Sequence, residues 1–228
     1  MKLLELFAGT RSVSKAFERA GVPPEDICSV EIDTQHPGIT WYMDIMDLTP
    51  ERIVADFGVP DVIWASPPCQ SYSIAAIGHH RSRDAAGYLR PKSAFAQQSD
   101  DLVWHTIHLI NRLQELNPGM VWFIENPRGG MRKTPMMRGL PRFTVTYCQY
   151  GDTRMKPTDI WTNHPNPRFK PMCRNGDPCH VRAPRGAKTG TQGLDGAVER
   201  SRIPDGFCDH IAKICKERYD EQNKQEDM

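Results

Sequence analysis

Long apolar runs are missing from this 228-residue chain, and none approaches the ~20 residues of a membrane-spanning helix. That excludes a helical membrane protein. The start, "MKLLELFAGTRS", turns polar too soon for a secretory signal peptide. A paired-cysteine framework is missing as well, because the seven cysteines are odd in number and scattered. They read as thiols of a reducing cytoplasm, some of them available to a metal. No internal repeat is visible, which argues against a solenoid. Net charge is almost absent at +1, but it is unevenly spread. Residues 126–202 hold fifteen Lys and Arg against five Asp and Glu, a local balance of +10. That stretch is also rich in Gly and Pro. Positive charge on loops suits a polyanion through phosphate neutralisation, or is simply a solvated basic surface.

What is present is ordinary for a globular protein: 39% apolar and 25% charged residues, enough for one packed domain. Apolar runs at Lys2–Phe7, Ile27–Ile32, "PDVIWAS" and "MVWFIEN" predict strands, with "FTVTYCQYG" and "TDIWTN" as two more. Between them, Val13, Phe17 and Ala20 keep helical spacing, and Thr49-Pro50 opens a second helix. Ser99 caps a third helix after a polar loop over 67–98, and a last helix spans about Asp205–Tyr219. Strands alternating with helices imply an α/β doubly wound, mostly parallel sheet of Rossmann-like type. Such sheets bind ligands at the carboxyl ends of their strands. "FAGTRS", "EID", "SPPCQ" and "ENP" all fall there.

Each of these stretches has a chemical reading. Gly9 allows backbone N–H groups to approach a cofactor, or serves only as a turn residue. Glu31, about twenty residues on, is placed to hold two ribose hydroxyls or to cap a loop. Asp44-Ile45 offers an acceptor to an adenine amino group, or an ordinary loop aspartate. Ser66-Pro67-Pro68 stops a strand and mounts Cys69 on a stiff loop. A core cysteine needs no such mounting, whereas a nucleophile does. Ser71 is a donor to phosphate or thiolate, or a plain loop serine. Glu125 ends an apolar strand, where desolvation raises a carboxyl pKa; pairing with a downstream arginine is the alternative.

In this order the motifs resemble the cytosine-C5 DNA methyltransferases. "LFAGTRSVSKAF" looks like the family's S-adenosylmethionine cradle, "EID" like its ribose motif, "SPPCQSYS" like its Pro-Cys-Gln loop and "IENP" like its Glu-Asn-Val motif. The resemblance implies cofactor contacts at Phe7, Ala8, Gly9, Thr10, Arg11, Ser12, Glu31, Ile32, Asp44, Ile45 and Pro67. It implies that Cys69 adds to cytosine C6 and that Glu125 engages N3, before methyl transfer to C5 of a flipped base. Arg154 and Lys156 stand in a reduced form of the family's Gln-x-Arg-x-Arg motif, as contacts to the cytosine O2 or its phosphate. Gly9-Thr10-Arg11-Ser12 departs from the family's Gly-x-Gly-Gly and crowds the methionine end of the cofactor. The implied partner is double-stranded DNA, with single-stranded DNA, RNA or an inactive DNA-holding role as alternatives. Ser71, Arg81, Arg83, Arg182, Arg185 and Lys188 are the expected nucleic-acid contacts. The small size fits a stand-alone enzyme of a phage or mobile element better than half of a large restriction-modification system.

Four segments are expected. Residues 1–162 form a catalytic domain, 163–203 a short basic recognition insert, 204–220 a helix completing the domain, and 221–228 a disordered tail. The insert has little apolar content. Within it, His164, Cys173, Cys179 and His180 make a zinc-competent set of two imidazoles and two thiols, with plain loop thiols as the alternative.

Overall fold

The computed structural model describes residues 1–174, 176–182 and 202–226. Its centre is a seven-stranded sheet of β1 (Leu3–Leu6), β2 (Ile27–Glu31), β3 (Trp41–Tyr42), β4 (Val62–Ala65), β7 (Val121–Pro127), β8 (Arg142–Thr146) and β9 (Pro157–Thr162). The spatial order is β3-β2-β1-β4-β7-β9-β8. The first five strands in that order run parallel, and β9 and β8 add an antiparallel edge. A separate hairpin pairs β5 (Arg81–Arg83) with β6 (Leu89–Pro91).

Alternation along the strands sorts the core into two layers. Leu3, Val62, Trp64, Val121 and Phe123 face α1 (Ser12–Arg19) and the last helix, α5 (Asp205–Glu226). Leu4, Leu6, Ile63, Trp122 and Ile124 face α2 (Pro50–Asp56) and α4 (Ala94–Leu116). The remaining helix, α3 (Ile77–His80), is a single turn before the hairpin. Helices on both faces make the doubly wound α/β architecture that the periodicity implied.

Glu5 breaks the apolar pattern of β1 for a structural reason. Its buried carboxylate accepts from Val13 N (3.2 Å), Ser14 N (2.9 Å) and the Ser14 hydroxyl. It caps the first turn of α1 from below, a task that Arg11 at the N-cap position does not perform. Burial pushes its pKa up.

Several boundaries differ from expectation. Ser93, not Ser99, caps α4 by accepting from Ala96 N at 3.2 Å; Ser99 is buried in the second turn and donates to Phe95 O. The expected loop over 67–98 contains α3 and the β5–β6 hairpin. The last helix continues to Glu226, six residues past the expected boundary, and Gln222 Nε2 donates to Gly119 O at 3.1 Å.

Arg81 and Ser71 were expected to meet nucleic acid, and here the structure corrects the sequence. Ser71 is fully buried and Arg81 is 3% exposed. The guanidinium bonds to Asp100 (2.8 Å), Ser71 Oγ (2.9 Å) and Ser71 O (3.0 Å), and stacks 4.0 Å from the Tyr72 ring. Tyr72 in turn donates to Asp100 at 2.8 Å. The network pins the loop after Cys69 onto α4. Replacing Asp100 by Ala leaves a buried cation uncompensated, which costs about 3–5 kcal/mol. Urea unfolding of the Asp100→Ala variant should show that loss. A change below about 1 kcal/mol, as for an exposed pair, would mean that the network is open to solvent.

Candidate active site

The carboxyl ends of β1, β2, β4 and β7 lie side by side along one edge of the sheet, and the predicted motifs converge there. The first loop turns sharply, with Phe7 (φ 57), Gly9 (φ 47) and Arg11 (φ 57) all left-handed. Among the described residues, no atom outside its chain neighbours comes within 4 Å of where a Cβ on Gly9 would sit. Arg11 therefore does not fill that space; its guanidinium pairs with Glu18 at 2.7 Å. Thr10 and Ser12 bond each other through their hydroxyls at 2.8 Å.

Glu31 bridges the first two loops. It accepts from Gly9 N (2.9 Å) through one oxygen, and from Ile32 N (2.9 Å) and Asp33 N (3.1 Å) through the other. A carboxylate has about four acceptor positions, so one remains for a hydroxyl. Ile32 beside it is 64% exposed, an apolar platform on an otherwise polar rim. Asp44 caps a short turn through one oxygen, accepting from Met46 N at 2.9 Å. The Ile45 side chain is committed to the core.

The loops after β4 and β7 are tied to each other. The two strands pair in parallel with Ala65 opposite Ile124, so their loops leave together. Asn126 Nδ2 donates to Pro67 O at 2.9 Å, and Asn126 Oδ1 is buried with no partner among the described residues. One residue earlier the side chain points to the other face. There Glu125 Oε1 accepts from the Tyr147 hydroxyl at 2.9 Å. Ser66 also hydrogen-bonds Glu125, and its oxygen accepts from Trp64 Nε1 at 2.8 Å.

Cys69 is partly exposed at the start of the turn Gln70–Tyr72. Burial pushes its pKa up, the Glu125 carboxylate adds to that rise, and Lys156 opposes it. Burial likewise raises Glu125 and lowers Lys156. Lys156 has φ 30 and lies 5.0 Å from the Tyr147 ring centre. A lysine in that backbone conformation is strained, a cost found most often at functional sites. Thiol, carboxyl and amine thus form one coupled group.

Residues 1–135 match the model of the C-5 cytosine-specific DNA methylases. The chain belongs to that family. It is 31% identical over 169 residues to a probable DNA (cytosine-5)-methyltransferase of Frog virus 3 (isolate Goorha), covering 72% of this chain and 71% of that one. Among solved structures it aligns with a DNMT2 mutant from Spodoptera frugiperda at a TM-score of 0.47 and 19% identity. That alignment covers 80% of this chain and 57% of the other, so the chain spans little more than half the length of that relative.

Arg154 is buried and grips Asp152 at 2.5 Å. Lys156 is the member of that motif coupled to Cys69 and Glu125. Arg83 and Arg182 are exposed, Arg83 donating to Gly87 O at 2.9 Å. Arg185 and Lys188 lie outside the described residues. His164 is far from any free ligand role: Asn166 N donates to its Nδ1 at 3.1 Å, and its ring packs 6.3 Å from that of Phe123. Tyr147 was missed by sequence reasoning. The only available signal was an aromatic at the end of the alternating stretch "FTVTY", which reads as sheet packing.

The coupling predicts opposite pKa changes in two variants. Alkylation of Cys69 in the free protein should rise with pH, through a midpoint above that of an ordinary thiol. Glu125→Gln removes the adjacent anion and should lower that midpoint. Lys156→Met removes the cation and should raise it. Equal midpoints in all three proteins would show that the groups do not sense one another.

Proposed function

We propose that this protein is an S-adenosylmethionine-dependent DNA (cytosine-5)-methyltransferase acting through a covalent Cys69 adduct. The observation that carries this reading is the coupled group of Cys69, Glu125 and Lys156, held where the strand ends open. Cytosine C5 is a weak nucleophile, so the ring must first be activated. The Cys69 thiolate adds to C6, Glu125 gives a proton to N3, and C5 becomes electron-rich. After methylation C5 releases its proton to solvent, N3 returns its proton to Glu125, and the thiolate leaves as the C5–C6 double bond re-forms. An acid and an anion are needed together: burial raises Glu125 toward its acid form, and Lys156 opposes the rise that burial and the Glu125 carboxylate impose on Cys69.

The space over Gly9, the remaining acceptor position of Glu31 and the exposed Ile32 fit S-adenosylmethionine. That molecule supplies an electrophilic methyl group when bound. Thr10 and Ser12 would line its methionine end, Asp44 has a carboxylate oxygen for the adenine amino group, and Pro67 shapes the wall beside Cys69. A target base inside a duplex cannot reach Cys69, so the reaction requires a flipped nucleotide. The exposed Arg83 and Arg182, with the basic stretch 126–202, would hold the phosphates on either side.

Duplex DNA containing 5-fluorocytosine should trap the protein, because fluorine at C5 cannot leave as a proton does. Cys69→Ser should abolish trapping and lower methyl transfer by ~10³-fold or more, while still binding the methyl donor. Trapping by RNA alone would transfer the activity to RNA. An adduct formed by Cys69→Ser would overturn the assignment of the nucleophile.

A further inference from the structure

Away from the cleft, four ligand-bearing side chains meet on the opposite side of the Tyr147 turn. Cys148 lies in the turn Tyr147–Tyr150 that follows β8, whereas Cys173, Cys179 and His180 come from the basic insert. Their ligand atoms all lie within 4.8 Å of one another. Cys148 Sγ is 3.1 Å from Cys173 Sγ and 3.6 Å from Cys179 Sγ. His180 Nδ1 is 3.7 Å from Cys173 Sγ and 3.6 Å from Cys179 Sγ.

The three separations of 3.6–3.7 Å are those of ligands around one ion, and the 3.1 Å pair of Cys148 and Cys173 must open by about 0.6 Å to join them. Zinc held tetrahedrally at about 2.3 Å from sulfur and about 2.0–2.1 Å from nitrogen puts ligands about 3.6–3.8 Å apart. A disulfide instead needs sulfurs about 2.05 Å apart, and would leave the third thiol and the imidazole without a role. Cys148 and Cys173 are buried while Cys179 is exposed and His180 half-buried, so an ion has a route in. The backbone around the cluster is already anchored. Cys173 N donates to Thr146 Oγ1 at 3.0 Å, Lys170 N to the Tyr150 hydroxyl at 2.8 Å, and Val181 N to Thr153 O at 2.8 Å.

We propose that Cys148, Cys173, Cys179 and His180 bind one structural zinc ion that fastens the basic insert to the catalytic domain. His164, expected from the sequence to be a ligand, is replaced by Cys148. Three thiols lose their protons to solvent on binding, and the neutral imidazole gives its Nδ1 lone pair. The site then carries one net negative charge. Lys170 and Arg174 of the same segment are exposed. Because Cys148 follows Tyr147 directly, the ion also fixes the turn whose tyrosine holds Glu125.

The test uses the full chain, expressed without a metal-binding tag and purified under reducing conditions. Elemental analysis should find about one zinc per chain, and Cys148→Ser and Cys179→Ser should each hold less than about a tenth of that. His164→Gln should keep its zinc. Chelation should speed tryptic cleavage after Arg174, which is exposed but held in the cross-linked segment, while the 1–162 core resists. Should the serine variants misfold, cobalt substituted into the unmodified protein must show tetrahedral bands with thiolate charge transfer. Zinc below about a tenth of an equivalent after reconstitution overturns the site, as does zinc kept by Cys148→Ser or a mass two hydrogens lighter from a disulfide. None of these readouts needs nucleic acid or methyl donor, so the site stands or falls separately from the proposed activity.

Discussion

The side chain of Asn126 reaching the carbonyl of Pro67 is the contact on which the rest of the cleft depends. Two neighbouring parallel strands deliver two loops to the same edge, but parallel pairing alone does not fix how those loops lean. Pro67 and Pro68 stiffen one of them, and the amide of Asn126 sets its distance from the other. The two-residue period of β7 then decides everything around it. With Asn126 turned toward Pro67, Glu125 must turn toward Tyr147 on the opposite face. A shift of one residue in β7 would bury the amide where the acid belongs.

The site that results is electrostatically tense. Removing water penalises every charge in it, raising Cys69 and Glu125 and lowering Lys156. A thiolate beside an ionised carboxylate in such a place would be doubly disfavoured, and the amine is the counterweight. Tyr147 and Ser66 both hydrogen-bond Glu125 and restrain it without neutralising it. The strained backbone of Lys156 fits this picture, since its position is dictated by the charges it answers rather than by local preference.

Much of this was legible in the sequence. Strand-end placement of Gly9, Glu31, Cys69 and Glu125 follows from alternating strand and helix patterns, and the structure brings all four to one edge. What was not legible depends on contacts distant in the chain. Glu5 reads as an error in an apolar strand until α1 is seen resting on it. Arg81 reads as a free basic residue until Asp100, nineteen positions on, is folded against it. Cys148 sits in a stretch whose pattern is that of a sheet, so local periodicity hid its place beside Cys173. Ser93 and Ser99 both precede helical spacing, and only the observed backbone bond distinguishes the cap. The hairpin at β5–β6 was hidden by the polarity of "GHHRSRDAAGYLRPK", since exposed strands carry little apolar signal.

The connection between β9 and α5 is held to the body at both of its described ends. Its first residues are fixed where His210 Nε2 meets Pro167 O at 2.8 Å, and its last where Ile203 enters the core beside Phe207. Both anchor points belong to the sheet-and-helix body. The entropy of closing such an excursion grows only logarithmically, about 0.6 kcal/mol for each doubling of length. The body would therefore tolerate a much longer or quite different segment between the same two posts. The length of this connection can change without a change in the fold of the body.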